Sequence, residues 1–117
     1  MANFVWTGNV NGDIGNPKNW HNADTNAAAT RTPGATIDDN DDIWFVKSTT
    51  ANKSLYGTIT GGINNCIFLA TAVTNYTIGS VAGYDGISGQ WEVACSITCD
   101  DLSVGFNPSA GFANTNN

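Results

Sequence analysis

At 117 residues, 41% hydrophobic and only 12% charged, the chain suits one domain with one core and needs no second domain to be stable. Gly, Asn, Thr and Ser fill 50 positions against three Leu, one Glu and one Met, which excludes a helical bundle and points to an all-β chain. The formal charge is −6, and all four cations (Lys18, Arg31, Lys47, Lys53) precede residue 54, so the surface repels phosphate backbones and anionic lipid; neither nucleic acid nor membrane is an expected partner.

In chain order, residues 1–40 hold no alternating run longer than Phe4-Val5-Trp6 and are broken by Gly8, Gly12, Gly15, Pro17, Pro33 and Gly34. They read as an irregular N-terminal arm, stapled by Trp6 and Trp20 onto its own subunit or a neighbour, because indoles are costly to leave in water. Residues 23–36 read as a small-residue loop, mobile or touching a partner. A β-rich core is expected over 41–105. There, Ile43-Trp44-Phe45-Val46 is a continuous apolar run, the mark of a strand covered on both faces. Leu55, Gly57, Ile59, Gly61 and Ile63 then alternate, followed by Cys66-Ile67-Phe68-Leu69 and by Tyr76 and Ile78. The clearest alternation is Ile87, Gly89, Trp91, Val93, Cys95, Ile97 and Cys99, which predicts a strand with one face in the core and the other on solvent or a partner. Residues 106–117 read as an extended C-terminal tail.

Runs of about 5 to 9 residues between Gly, Asn and Thr turns fit a short β-solenoid, with a small β-sandwich or jelly roll as the alternative. A solenoid this short has two ends whose backbone and core must be covered, and oligomerisation is the simplest cover.

Cys95 and Cys99, four apart on a strand, would sit about 13 Å from each other and cannot pair there. Cys66 with either remains geometrically open, but three buried thiols in a reducing compartment are expected. No basic segment followed by an apolar core opens the chain, so export by a signal peptide is not expected. The sequons at Asn52 and Asn75 are discounted as chance in so Asn- and Thr-rich a chain.

Chemistry-bearing residues are sparse. Within the acid run 38–42, Asp38, Asn40 and Asp42 offer oxygens at alternate positions to a hard cation such as Ca²⁺, but the loop lacks the Gly and Glu of an EF-hand. A solvated loop that guards an apolar strand is the plainer expectation, with no metal. Glu92 with that acid run would be the only carboxylate pair for glycoside hydrolysis, and nothing sets their separation. The thiols sit in apolar runs, His21 is the lone histidine, and no phosphate-cradling glycine motif occurs, so no catalytic residue and no cofactor are assigned. The alternative reading is a carbohydrate- or host-receptor-binding domain, in which Tyr56, Tyr76 and Tyr84 face outward to stack on sugars.

The ordered series Trp6-Thr7-Gly8, Asn16-Pro17-Lys18-Asn19-Trp20, Pro33-Gly34 and Asp41-Asp42-Ile43-Trp44-Phe45 resembles a W-x-G, N-P-x-N-W, P-x-x-x-D-D-V-x-F pattern. That pattern opens passenger-type β-solenoid repeats of bacterial surface proteins and small virion proteins of tailed phages. The resemblance spans roughly the first 45 residues, and the short β-rich remainder looks like the phage version, a capsid decoration (cement) protein or head fibre. It implies a homotrimer on the capsid exterior, made in the host cytoplasm, bound to the major capsid protein and reinforcing the mature shell. Phe4, Trp6, Trp20, Phe106 and Phe112, on the arm and tail, are the expected interface anchors, since aromatic residues dominate hot spots. Without the resemblance, the same residues suggest structural roles: Trp6 and Trp20 sandwiching the Gly-rich turn between them, and Asp41-Asp42 accepting backbone N–H groups where a strand begins.

Overall fold

The computed structural model describes residues 1–47 and 52–108. Among them are eight strands, one turn of 3₁₀ helix at Pro17–Asn19 and no α-helix. The strands are β1 (Asn3–Trp6), β2 (Trp20–Asn22), β3 (Ala27–Ala28), β4 (Asp41–Phe45), β5 (Ser54–Leu69), β6 (Tyr76–Ile78), β7 (Val81–Tyr84) and β8 (Glu92–Phe106). Six form one mixed, unclosed sheet in the order β3-β2-β1-β4-β5-β8, and β6 and β7 pair as an antiparallel hairpin. The expected all-β class is met.

Within the sheet, β1, β4, β5 and β8 run parallel and in chain order, while β2 returns antiparallel along the outer side of β1 and β3 pairs antiparallel on the far side of β2. At about 3.3 Å per residue, a straight β5 or β8 would reach roughly 50 Å. The longest extent of the molecule is 33 Å, so both strands bend. The bend in β5 is a bulge: Ile59 faces Ile97 and Ile63 faces Cys99, leaving three residues of β5 against one of β8. Gly62 sits in this bulge at φ +74°, and a Cβ there would lie 2.2 Å from the Thr36 carbonyl oxygen, so only glycine passes. The first limb of β5 also pairs with the turn at residues 12–14, through Tyr56 N–H to the Gly12 carbonyl and Ile14 N–H to the Tyr56 carbonyl, both 2.9 Å.

Alternation along the parallel strands sorts side chains into two cores. Phe4, Trp6, Ile43, Phe45, Cys66 and Phe68 face one cluster, completed by Ile14, Trp20, Leu55, Ile59 and Ile63. Val5, Trp44, Val46, Ile67 and Leu69 face the other, which Val73 and Ile78 cover from the hairpin side. Ile43-Trp44-Phe45-Val46 is therefore apolar throughout because both of its faces are covered, as expected.

Two expectations need correction. Residues 1–40 are not an arm: they supply β1, β2 and β3, and β1 lies inside the sheet between β2 and β4. Phe4, Trp6 and Trp20 are accordingly buried within their own chain, where they leave no surface for a neighbour. In addition, the alternating stretch 87–99 enters the sheet only at Glu92. Because β8 is an edge strand, its apolar face is incompletely covered: Val93 and Val104 are 55% and 57% exposed.

Candidate interaction surface

The end of the molecule near β1 is built from two locks. The first is aromatic. Trp6 and Trp20 meet edge to face with ring centroids 5.1 Å apart, and Phe45 packs on both. Each indole N–H is satisfied, Trp20 donating to the Ile14 carbonyl (2.8 Å) and Trp6 to the Asn52 carbonyl (3.0 Å). Asn19, fully buried, ties the intervening turn. It accepts from the Val10 and Asn11 backbone N–H groups and donates to the Asn11 side chain and the Asp13 carbonyl. Trp6 and Trp20 touch each other rather than sandwiching the Gly-rich turn between them, and the turn is tied instead by Asn19, in the sequence only a letter of the N-P-x-N-W series.

The second lock is ionic. Asp41 is wholly buried at the start of β4 and accepts a two-pronged pair of bonds from Arg31 at 2.7 and 2.9 Å. It also accepts from the Gly34 backbone N–H (2.9 Å) and the Ala2 backbone N–H (3.0 Å), fastening the chain start and the 31–34 loop to one carboxylate. Donation to Asp41 holds the Arg31 guanidinium above its ordinary pKa, against the opposing effect of partial burial. The guanidinium also lies 5.0 Å from the centre of the Phe4 ring.

The other acids of the run have separate partners. Asp39 accepts from the Thr36 backbone N–H (2.8 Å) and hydroxyl (2.9 Å) and from Arg31 (3.2 Å). The Thr36 backbone bond, then its hydroxyl and Arg31, hold that carboxyl below the usual range despite some desolvation. Asp42 accepts from the Asn65 backbone and side chain at 3.1 and 3.0 Å. Asp38 and Asn40 are exposed on the loop. The Ca²⁺ candidates Asp38, Asn40 and Asp42 are therefore not gathered, and the described residues hold no metal-competent cluster of three His, Cys, Asp or Glu. Asp41 and Asp42 do accept backbone N–H groups at the strand start, as expected. Glu92 lines a recess with Ser54, Gln90 and Trp91, and no acid of the 38–42 run lines it.

At the opposite end the sheet stops on β8. Below this edge lies an apolar groove of about 420 Å³, lined by Phe68, Trp91, Val93, Ile97, Leu102 and Val104 and by all three cysteines. The thiols are free; burial pushes Cys66 well above the ordinary thiol range and raises Cys95 and Cys99, the last also through Asp100 and Asp101. Trp91 packs edge-on against Phe45 and Phe68, and its buried indole N–H has no acceptor among the described residues.

Of the anchors expected from the sequence, Phe106 is half-buried against Trp44 and Tyr76, and Phe112 lies outside the described residues. Of the tyrosines, Tyr56 is exposed and Tyr76 packs into the second core. A scan against protein-family models, a search of curated proteins and a search of solved structures each return no match.

Proposed function

We propose that the chain is a short parallel β-solenoid, capped at one end, that acts as a structural, non-catalytic capsid decoration (cement) protein of a tailed phage. In this reading it sits on the virion exterior as a homotrimer between major capsid subunits and stiffens the mature shell. The observation that carries it is the stacking of β1, β4, β5 and β8, parallel and in chain order, with β2 and β3 folded across the outer edge of β1 as a cap. Two limbs of β5 on either side of the Gly61-Gly62 bulge, each continued by a limb of β8, behave as two sides of successive coils. The virion role draws on the resemblance of the Trp6 to Phe45 series. It is supported further by the use those residues are put to: Trp6, Trp20, Trp44 and Phe45 are consumed in a rigid core rather than arrayed for a ligand. Three footprints on one rigid body bind by avidity without a large individual interface.

The test is co-sedimentation of the purified protein with empty expanded capsids, assembled from a major capsid protein encoded beside it, together with its mass by sedimentation velocity. Binding as a trimer, with a rise in the temperature at which the shells rupture, is expected. A monomer that ignores capsids, or one that selects a sugar on a glycan array, overturns the reading. Deleting residues 1–20 is not a useful probe, since it removes core residues rather than a surface anchor.

A further inference from the structure

We infer that the groove beside Trp91 is a binding site for a small, uncharged amphiphile. An apolar chain fills the groove, a carbonyl oxygen takes the Trp91 indole N–H, and a hydroxyl-bearing head rests in the adjoining polar recess. This goes beyond the decoration reading and does not depend on it.

The first observation is one indole that differs from its three counterparts. Trp6, Trp20 and Trp44 each donate to an oxygen of their own chain: the Asn52 carbonyl (3.0 Å), the Ile14 carbonyl (2.8 Å) and the Asn3 side chain (3.0 Å). The Trp91 N–H is buried yet has no acceptor among the described residues. An indole nitrogen can only donate, and a buried donor left unmet forfeits the bond that water gave it in the unfolded chain. The fold avoids that loss at its other tryptophans, which marks the Trp91 donor as held for an acceptor from outside.

The second observation is where this donor sits. Trp91 is shared by two depressions: the groove of about 420 Å³, walled near Trp91 by Phe68, Ile87, Val93 and Val104, and the recess of Ser54, Gln90 and Glu92. A largely apolar hollow of that size with a few polar groups gathered at one place is the usual form of a small-molecule site. Edge-on contacts with Phe45 and Phe68 fix the indole ring, so the donor is positioned before a ligand arrives. The site uses side chains around Trp91 rather than the β8 backbone, and it asks nothing of Asp101 and Leu102, which have interactions of their own.

The lining sets the class of ligand. The groove's remaining polar atoms are thiols, weak donors and acceptors, so the body of the ligand is hydrocarbon. The lone strong donor calls for one acceptor at the junction of body and head. In the recess, Ser54 and Gln90 both donate and accept, Glu92 is an acid, and the Lys53 ammonium ends beside Gly89. With both signs of charge at hand, an uncharged polar head meets no repulsion, whereas a carboxylate meets Glu92 and an ammonium meets Lys53.

The experiment follows the four indole proton–nitrogen resonances of the full chain, with W91F identifying the Trp91 signal. The probes are monodecanoylglycerol, its ether analogue monodecylglycerol, and decanoate, each titrated below its micelle concentration. The ester is expected to move the Trp91 indole proton downfield and leave the other three in place. The ether, which lacks the carbonyl, should bind about fivefold more weakly, the worth of one hydrogen bond, and decanoate at least about tenfold more weakly than the ester. In W91F the ester should lose its advantage over the ether. V104F narrows the groove from an exposed position, so it should melt like the parent and weaken binding of both. No binding of the ester, an ester preference that survives in W91F, ester binding unchanged in V104F, or decanoate as the tightest ligand overturns the inference. So does a Trp91 proton that already resonates as a bonded indole and is moved by none of the probes, since its acceptor would then be water or the chain itself. Co-sedimentation with capsids is expected whatever these titrations show, so the two readings fail separately.

Discussion

Removing the Arg31 guanidinium tests the ionic lock most directly. Asp41 is 0% exposed and accepts four hydrogen bonds, two of them from Arg31. Two charge-assisted bonds at about 1.5 kcal/mol each would give about 3 kcal/mol. Arg31 itself is 35% exposed, so water takes over part of the role and the figure falls to about 2 kcal/mol. Loss of the Phe4 ring contact adds about 0.5 kcal/mol, so R31A should cost about 2 to 3 kcal/mol. With an unfolding entropy of about 2.1 cal/mol/K per residue over this chain, the melting temperature should drop by roughly 8–12 °C. D41N places an amide donor against the Gly34 and Arg31 donors and should cost about 3 kcal/mol, and R31A/D41N little more, for a coupling of about 2 kcal/mol. Urea unfolding at pH 7, with calorimetry for the melting temperature, reads all three variants. An R31A protein within about 0.5 kcal/mol of the parent, or strictly additive losses, would show that the buried carboxylate does not depend on its guanidinium.

Other consequences follow from the same contacts. N19A strips four hydrogen bonds from the turn at 10–13 and should destabilise by about 2 to 3 kcal/mol in urea unfolding; a loss under about 0.5 kcal/mol would mean that water replaces the amide. G12A puts a Cβ 1.8 Å from the Ser54 carbonyl oxygen and should break the pairing of Gly12 with Tyr56, leaving little soluble protein; a melting temperature unchanged from the parent refutes that clash. Cys66 should react with a disulfide reagent far more slowly than Cys95 or Cys99 in the native protein, and all three rapidly in denaturant. All three thiols have raised native pKa values, so their neutral forms favour the fold. That contribution is complete below the unfolded thiol pKa of about 8.5 and is lost as pH climbs toward the native values, so the urea midpoint should fall between pH 8 and pH 10 unless all three cysteines are replaced by alanine.

Local pattern alone was enough for the β class, for the double-faced strand at Ile43–Val46 and for the acceptor role of Asp41 and Asp42. Each depends on side-chain alternation or on a residue's own hydrogen-bonding capacity, which neighbours in the chain already reveal. What covers a face does not. The alternation of Val93, Cys95 and Ile97 was as clear as any in the chain, yet it lies on an edge strand, because a period of two says which side chains share a side and nothing about whether another strand arrives above them. Likewise the glycines and prolines of residues 1–40 suggested an arm, whereas β1 is held by partners from two later segments. The acid run read as one cluster, but closure of the chain sends Asp39 and Asp41 to Arg31 and Asp42 to Asn65. Charges find partners through contacts distant in sequence, and only the folded chain decides which.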